Sequence, residues 1–276
     1  MPVDDAMVPT QLDSRMQPKS SRRRYRVWFW SVLGFVLCTA VGAVQQPAPP
    51  SGDTVAPLDE PLRLIAEARQ VMREIGDYSC VLIKRERIGG QMMPENVIAL
   101  KVRARPFSVY MRWQDPQEQD GQEACFVAGK NGNKMRVHPN GGLALLGWVT
   151  LDQRDPRALK TTRHAIAEAG LSNLIERYAA AWGAERSLGQ TQVQLAEYEY
   201  NKRCCTRVEV AHPARTLGQY EYFRTVIYFD RETKLPIRVE CYDYPRRADD
   251  PGELIEVYSY INLRCNVGLG DETFNH

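Results

Sequence analysis

Hydrophobic and polar positions along the chain follow two periods. From Asp59 the apolar residues Leu62, Ile65, Met72 and Ile75 recur at helical spacing, with Arg63, Arg69 and Arg73 off that stripe. Asp59 and Glu60 suit the free N–H groups of a helix start, Pro61 suits the first turn, and Gly76 supplies a stop. From Tyr78 the period becomes two. "YSCVLIKRERI" predicts a strand turned by Gly89-Gly90, "NVIALKVRA" sets Ile98, Leu100 and Val102 against Lys101 and Arg103, and "PFSVYMRW" aligns Phe107, Val109, Met111 and Trp113. "EACFVAG" and "NKMRVHP" flank Asn131-Gly132, a strong hairpin signal. A glycine-rich bend at Asn140 to Gly142 leads to an apolar patch of Leu143, Leu145, Leu146 and Trp148.

The middle returns to helical spacing. "GLSNLIERYAAAWG" carries Leu171, Leu174, Ile175, Tyr178 and Trp182 on one stripe and predicts an end at Gly183. Strands then resume in "QVQLAEYEY", "CCTRVEVAH", "YFRTVIYFD", "LPIRVECYDY" and "ELIEVYSYINLRCNV", with the charged bend Asp230 to Lys234 joining two of them. Strands, a helical insertion and more strands predict an α+β fold, a strongly curved antiparallel sheet (an incomplete β-barrel) wrapped around helices. Alternation places Leu100, Val102, Val109, Met111, Val208, Val210, Ile227, Phe229, Val239, Val257 and Ile261 on the covered sheet face. Leu171, Leu174, Tyr178 and Trp182 face them from the central helix, with Trp182 beside Gly183 as a lid candidate. Where the helices do not fill the concavity, an apolar cavity lined by these residues is expected.

The N-terminus adds an address. Arg22, Arg23, Arg24 and Arg26 precede Val27 to Val44, a run without charge. As a helix it spans about 27 Å, close to a bilayer's hydrocarbon thickness. Trp28 and Trp30 sit at its basic end, and the positive-inside rule keeps the arginines cytoplasmic and exports the chain beyond Val44. Two readings remain open, an inner-membrane anchor facing the periplasm and a signal segment cleaved to release the domain into the periplasm. Leu37 ahead of Cys38 argues against lipidation there. The organisation is therefore a basic tail (1–26), an anchor or signal (27–44), a Pro-rich linker (45–58) and an exported domain (59–276).

Export changes the meaning of the six remaining cysteines, Cys80, Cys125, Cys204, Cys205, Cys241 and Cys265. An even number in an oxidising compartment predicts at least one inter-strand disulfide, against the alternative of small buried thiols. Adjacent Cys204 and Cys205 would make a strained bond with each other. Other chemistry is sparse. A net charge of +2 gives no polyanion signal, so no nucleic-acid partner is expected. His138, His164, His212 and His276 have no partner histidine at metal spacing, and no nucleophile elbow, P-loop or dinucleotide fingerprint occurs. No enzyme, cofactor or metal is expected.

The blocks "YSCVLIKRERIGG", "VRARPFSVYMRW", "RHAIAEAGLSNLIERY", "LPIRVECYDYP" and "YSYINLRCNVGLGDETF" resemble, in order, an exported bacterial family known as domain of unknown function 1571. That resemblance implies no catalytic residue. The acidic turn, Leu235-Pro236, a Tyr-rich strand and the closing Asp271 to Phe274 are similar to the C-terminal half of periplasmic outer-membrane lipoprotein-sorting carriers. This second resemblance implies a half-barrel whose cavity takes acyl chains, and hence a binder of lipids or lipoproteins. The alternative is a membrane-anchored interaction or sensory module without a ligand cavity. The orientation is testable: a reporter active only in the cytoplasm, fused after residue 60, is expected to stay silent, and strong activity reverses the topology.

Overall fold

A computed structural model describes residues 57–276 apart from 214, 215, 217, 218, 248 and 249. The basic tail, the Val27–Val44 run and nearly all of the linker lie outside the described residues. Among the described residues no helix is long and apolar enough to cross a membrane.

Helix α1 (Asp59–Arg73) starts with Asp59 and Glu60 in its first turn and buries Pro61, Leu64, Ile65 and Ala68. Strands β1 (Asp77–Ile88), β2 (Gln91–Met92), β3 (Asn96–Arg103), β4 (Ser108–Asp115), β5 (Glu123–Val127), β6 (Met135–His138) and β7 (Val149–Leu151) follow. After a strap over residues 152–170, containing the single-turn α2 (Pro156–Leu159), comes α3 (Leu171–Glu185). Strands β8 (Gln192–Tyr200), β9 (Arg203–Ala211), β10 (Arg224–Asp230), β11 (Pro236–Tyr242) and β12 (Leu254–Cys265) complete the chain. Gly183 lies inside α3, and the chain leaves the helix at Gly189, whose φ of 64° suits glycine. The expected end at Gly183 is corrected: the chain continues helically through Glu185, so no hinge sits next to Trp182.

The strands form one antiparallel sheet in the order β7-β6-β5-β4-β3-β1-β12-β11-β10-β9-β8, with β2 paired to β1 off this path. Two meanders are joined at the centre by β1 and β12, in a register that sets Leu82 across from Tyr260 and Glu86 across from Glu256. The ends, β7 and β8, do not pair, so the barrel is open. Eleven strands spaced about 4.8 Å apart make a sheet roughly 50 Å wide. Two helices about 10 Å across cover less than half of that, so a sheet sharing one core with them must curl around them.

That core joins Leu64, Ile65 and Ala68 of α1 with Leu171, Ile175, Tyr178 and Trp182 of α3 and one face of the sheet. Leu100, Val102, Val109, Val208, Val210, Ile227, Phe229 and Val239 lie in it, as their alternation predicts. Strand β12 departs from the expected parity. Val257 pairs across from Arg85 and Ile261 from Val81, on the face away from the core, while Tyr258 and Tyr260 take the inner positions. A register shift between Ser79 and Val81 accompanies this, and the inner Tyr258 gives its hydroxyl to the buried Glu86, which a Val/Ile pattern does not reveal.

The thiols also differ from expectation. Cys80, Cys125, Cys204, Cys205, Cys241 and Cys265 are all unpaired. Cys241 meets the Tyr178 hydroxyl at 3.1 Å, Cys125 donates to the Phe274 carbonyl at 3.5 Å, and Cys205 packs against Val226 and Tyr228 on the outer face. Cys204 and Cys265 are exposed at strand ends. No bridge forms among them, and burial pushes the Cys80 thiol up to about 12, with the neighbouring Cys265 adding to the rise.

Trp182 is 2% exposed and packs on Tyr178. Trp182→Ala is expected to lower unfolding stability by about 3–5 kcal/mol. Urea titration checks this, and a loss under about 1 kcal/mol would contradict its place in the core.

Candidate functional site

A cavity of about 1030 Å³ remains between the sheet and its cover. Its sheet wall comes from Leu82, Lys84 and Glu86 of β1, Asn96 of β3, Met111 and Trp113 of β4, Ala124 of β5, Met135 and Val137 of β6, Val149 and Leu151 of β7, and Tyr258 and Tyr260 of β12. No lining residue comes from β8 to β11, the half of the sheet that α1 and α3 fill. The opposite wall is the strap from Gln153 to Gly170 together with Asn173, Leu174 and Arg177 of α3. The strap presents small side chains there, Ala165, Ala167 and Ala169, which leave the sheet's apolar surface unmet. Gly170 has φ 97°, and a Cβ on it would come 2.7 Å from the Tyr78 hydroxyl that accepts the Leu171 N–H. Glycine is therefore needed where the strap turns into α3. Asn173 pins the strap from the helix side by donating to the Ala167 and Ala169 carbonyls, both at 2.9 Å.

One side of the cavity is strongly polar. Glu86 and Glu256, 2% and 1% exposed, are cross-strand neighbours. Lys84 Nζ donates to Glu86 Oε2 at 2.8 Å and to Thr162 Oγ1 at 3.1 Å, and the Tyr258 hydroxyl donates to Glu86. Glu256 accepts from Arg163 Nε at 2.9 Å and from the Tyr222 hydroxyl at 2.8 Å. His164 Nε2 lies 2.9 Å from Glu256 Oε2, and Arg177 Nη1 lies 3.8 Å from Oε1. The strap is thus tied to the sheet by Thr162, Arg163 and His164, and α3 by Arg177.

Burial pushes the Glu256 carboxyl up, but the hydrogen bond and charge of His164, with Tyr222 and Arg177, overcome it and hold it at about 2. Burial pulls His164 down, and the bond and charge of Glu256 more than offset that, leaving it raised above 6.5. Its Nδ1 also faces Glu168 Oε2 at 3.4 Å, so both ring nitrogens meet carboxylates and hold a cation. Burial and the Glu256 and Glu86 charges keep Tyr258 protonated far above its usual range. The groups satisfy one another, and the arrangement closes a wall.

Of the fifteen residues expected to line a cavity, Met111 and Leu174 do so. Leu100, Val102, Val109, Val208, Val210, Ile227, Phe229, Val239, Leu171, Tyr178 and Trp182 touch one another in the close-packed core, and Val257 and Ile261 face outward. Sequence reasoning missed Lys84, Glu86, His164, Arg177, Glu256 and Tyr258. One signal existed: Lys84 and Glu86 share the parity of Tyr78, Cys80 and Leu82.

The sequence model of the family described as "Protein of unknown function (DUF1571)" matches residues 75–276. No curated protein matches the chain. Among solved structures, a DUF1329 family protein from Desulfovibrio piger is similar at 16% identity and TM-score 0.38, covering 80% of this chain and 98% of that one. The Mycobacterium tuberculosis lipoprotein LppX is similar at 11% identity and TM-score 0.40, covering 76% and 96%. A LolA superfamily protein from Nitrosomonas europaea is similar at 13% identity and TM-score 0.34, covering 78% and 96%. The cavity, rather than these likenesses, carries the functional reading.

The ion network has a pH signature. The raised His164 contributes stability that is full below about pH 6.5 and is lost as pH rises through its folded value. The lowered Glu256 contributes stability that is full above about 4.5 and is lost as pH falls towards about 2. Both contributions are complete only between those limits, so unfolding stability is expected to peak there. Glu256→Gln is expected to lower it by about 3–5 kcal/mol and to flatten the decline above about pH 6.5. Urea titrations across pH check both, and an unchanged alkaline slope in the variant refutes the pairing.

Proposed function

We propose that this chain, which belongs to the DUF1571 family, is a non-enzymatic binder of lipid or lipidated protein at the cell envelope, with acyl chains held in the cavity. The observation that carries this reading is the cavity itself: about 1030 Å³ in a core otherwise well filled. Ligand clefts usually span about 300–1,000 Å³, so this volume is at the top of that range. Its sheet wall over β4 to β7 is mainly Met111, Ala124, Met135, Val137, Val149 and Leu151, flexible or small apolar groups that adapt to a hydrocarbon chain. Water gains little from such a wall, whereas an alkyl chain gains about 0.8 kcal/mol for each buried CH₂. The paired charges at β1 and β12 bound the apolar stretch on one side. The export expected from the arginine cluster and the Val27–Val44 run puts such a binder where envelope lipids are.

A fluorescent long-chain fatty acid is expected to bind the chain at one site. Ala167→Trp, which fills the cavity from the strap, is expected to weaken that binding at least about tenfold, with a stability cost of no more than about 1–3 kcal/mol. Native mass spectrometry of the chain extracted from its own membranes is expected to show bound lipid. No probe binding and no co-purified lipid would refute the proposal.

A further inference from the structure

We infer that the turn at Gly141–Leu146 is a membrane-contact loop, through which the cavity opens onto a lipid surface. This six-residue 3₁₀ segment joins β6 to β7 at the open edge of the sheet. Leu143, Leu145 and Leu146 on it are 63%, 96% and 65% exposed. Single exposed leucines are ordinary, but three in four consecutive positions make a patch that calls for a partner. From Pro139 to Leu151 the chain carries no charge.

The loop is held in this exposed shape. Asn140 Nδ2 donates to the Glu118 and Asp120 carbonyls at 2.7 and 3.2 Å, anchoring the loop at its start. The Gly147 N–H closes the turn on the Ala144 carbonyl at 3.0 Å, at a φ of 61° that only glycine takes without strain. Trp148 secures the other end, its carbonyl accepting from Arg136 and its ring stacked on His276 at 4.5 Å. With both ends fixed, the leucines cannot fold back into the core without breaking these bonds.

Leu143 and Leu146 are at once exposed and cavity-lining, so the cavity meets solvent at the loop. The ion network lies at the other end of the sheet wall, on β1 and β12, five and six strands from β7. A lipid surface suits the loop better than a protein partner. The side chains of Gly141–Leu146 offer no hydrogen-bonding group to set a register. The charge-free run Val27–Val44, expected to enter a membrane, ends 14 residues before α1.

The test uses the full chain in vesicles of phosphatidylethanolamine and phosphatidylglycerol. A photoreactive Leu145→p-benzoylphenylalanine chain is compared with the same replacement at Glu232, whose side chain is 80% exposed in the β10–β11 turn. After irradiation, phospholipid adducts at position 145 are expected to exceed those at 232 by at least about tenfold. Equal yields, or adducts at 145 to a second copy of the chain, overturn the inference. The readout does not need the cavity to bind anything. A chain that takes up no fatty acid but still gives the lipid adduct refutes the carrier reading and supports the loop.

Discussion

Two buried carboxylates on neighbouring strands constrain the rest of the molecule. Glu86 and Glu256 face each other across the β1–β12 pair that joins the two meanders, almost without solvent. Like charges directly across a sheet repel, and each isolated buried charge costs several kcal/mol. The fold is tenable only if cations and hydroxyls arrive from elsewhere, and they arrive from four places, one of them the β9–β10 connection, whose Tyr222 hydroxyl donates to Glu256. Lys84 and Tyr258 come from the same two strands, Thr162, Arg163 and His164 from the strap, and Arg177 from α3. The carboxylates therefore determine where the strap crosses the sheet and how α3 is placed relative to its centre.

The cavity results from that placement. A strap drawn to the sheet at β1 and β12 by ionic contacts covers β3 to β7 only loosely, with Ala158, Ala165, Ala167, Ala169 and Gly170 among its lining residues. A cover of large aliphatic side chains would have closed the space and gained packing energy. Keeping it open sacrifices stability that a ligand could return on binding, the usual relation between a functional hollow and the core around it. The opposite half of the sheet shows the contrast, since there α1 and α3 meet Val208, Ile227, Phe229 and Val239 in close contact.

Much of this was legible in the sequence, and the boundary has a physical cause. Period-two runs located the long strands, Asn131-Gly132 marked its hairpin, and the two apolar stripes located α1 and α3. These signals are local, each set by how a residue meets its own face of its own element. The ion network was not legible because pattern reading assigns charge to solvent. Lys84 and Glu86 on a core parity were a warning, but their partners at positions 162, 163, 177 and 256 are distant in sequence and joined only by topology. The inner face of β12 failed for a related reason: Tyr258 occupies it with its hydroxyl on the buried Glu86, and Tyr260 follows at the same parity, whereas apolarity alone pointed to Val257 and Ile261. The cysteines looked like a disulfide framework only because compartment and count were visible while distances were not.

The leucine turn shows how the two kinds of signal combine. Its apolar run was plain in the sequence, where Leu143, Leu145, Leu146 and Trp148 form an apolar patch after a glycine-rich bend. The structure puts the same residues at the sheet's open edge, with glycine and asparagine fixing a turn too tight to bring them inward. An edge strand as short as β7 leaves few backbone groups free for pairing with another chain. What that edge presents instead is hydrocarbon, next to a cavity whose far wall is closed by charge. A solute moving from a bilayer into such a space would keep its apolar part in apolar surroundings throughout and would meet charge only after it had entered.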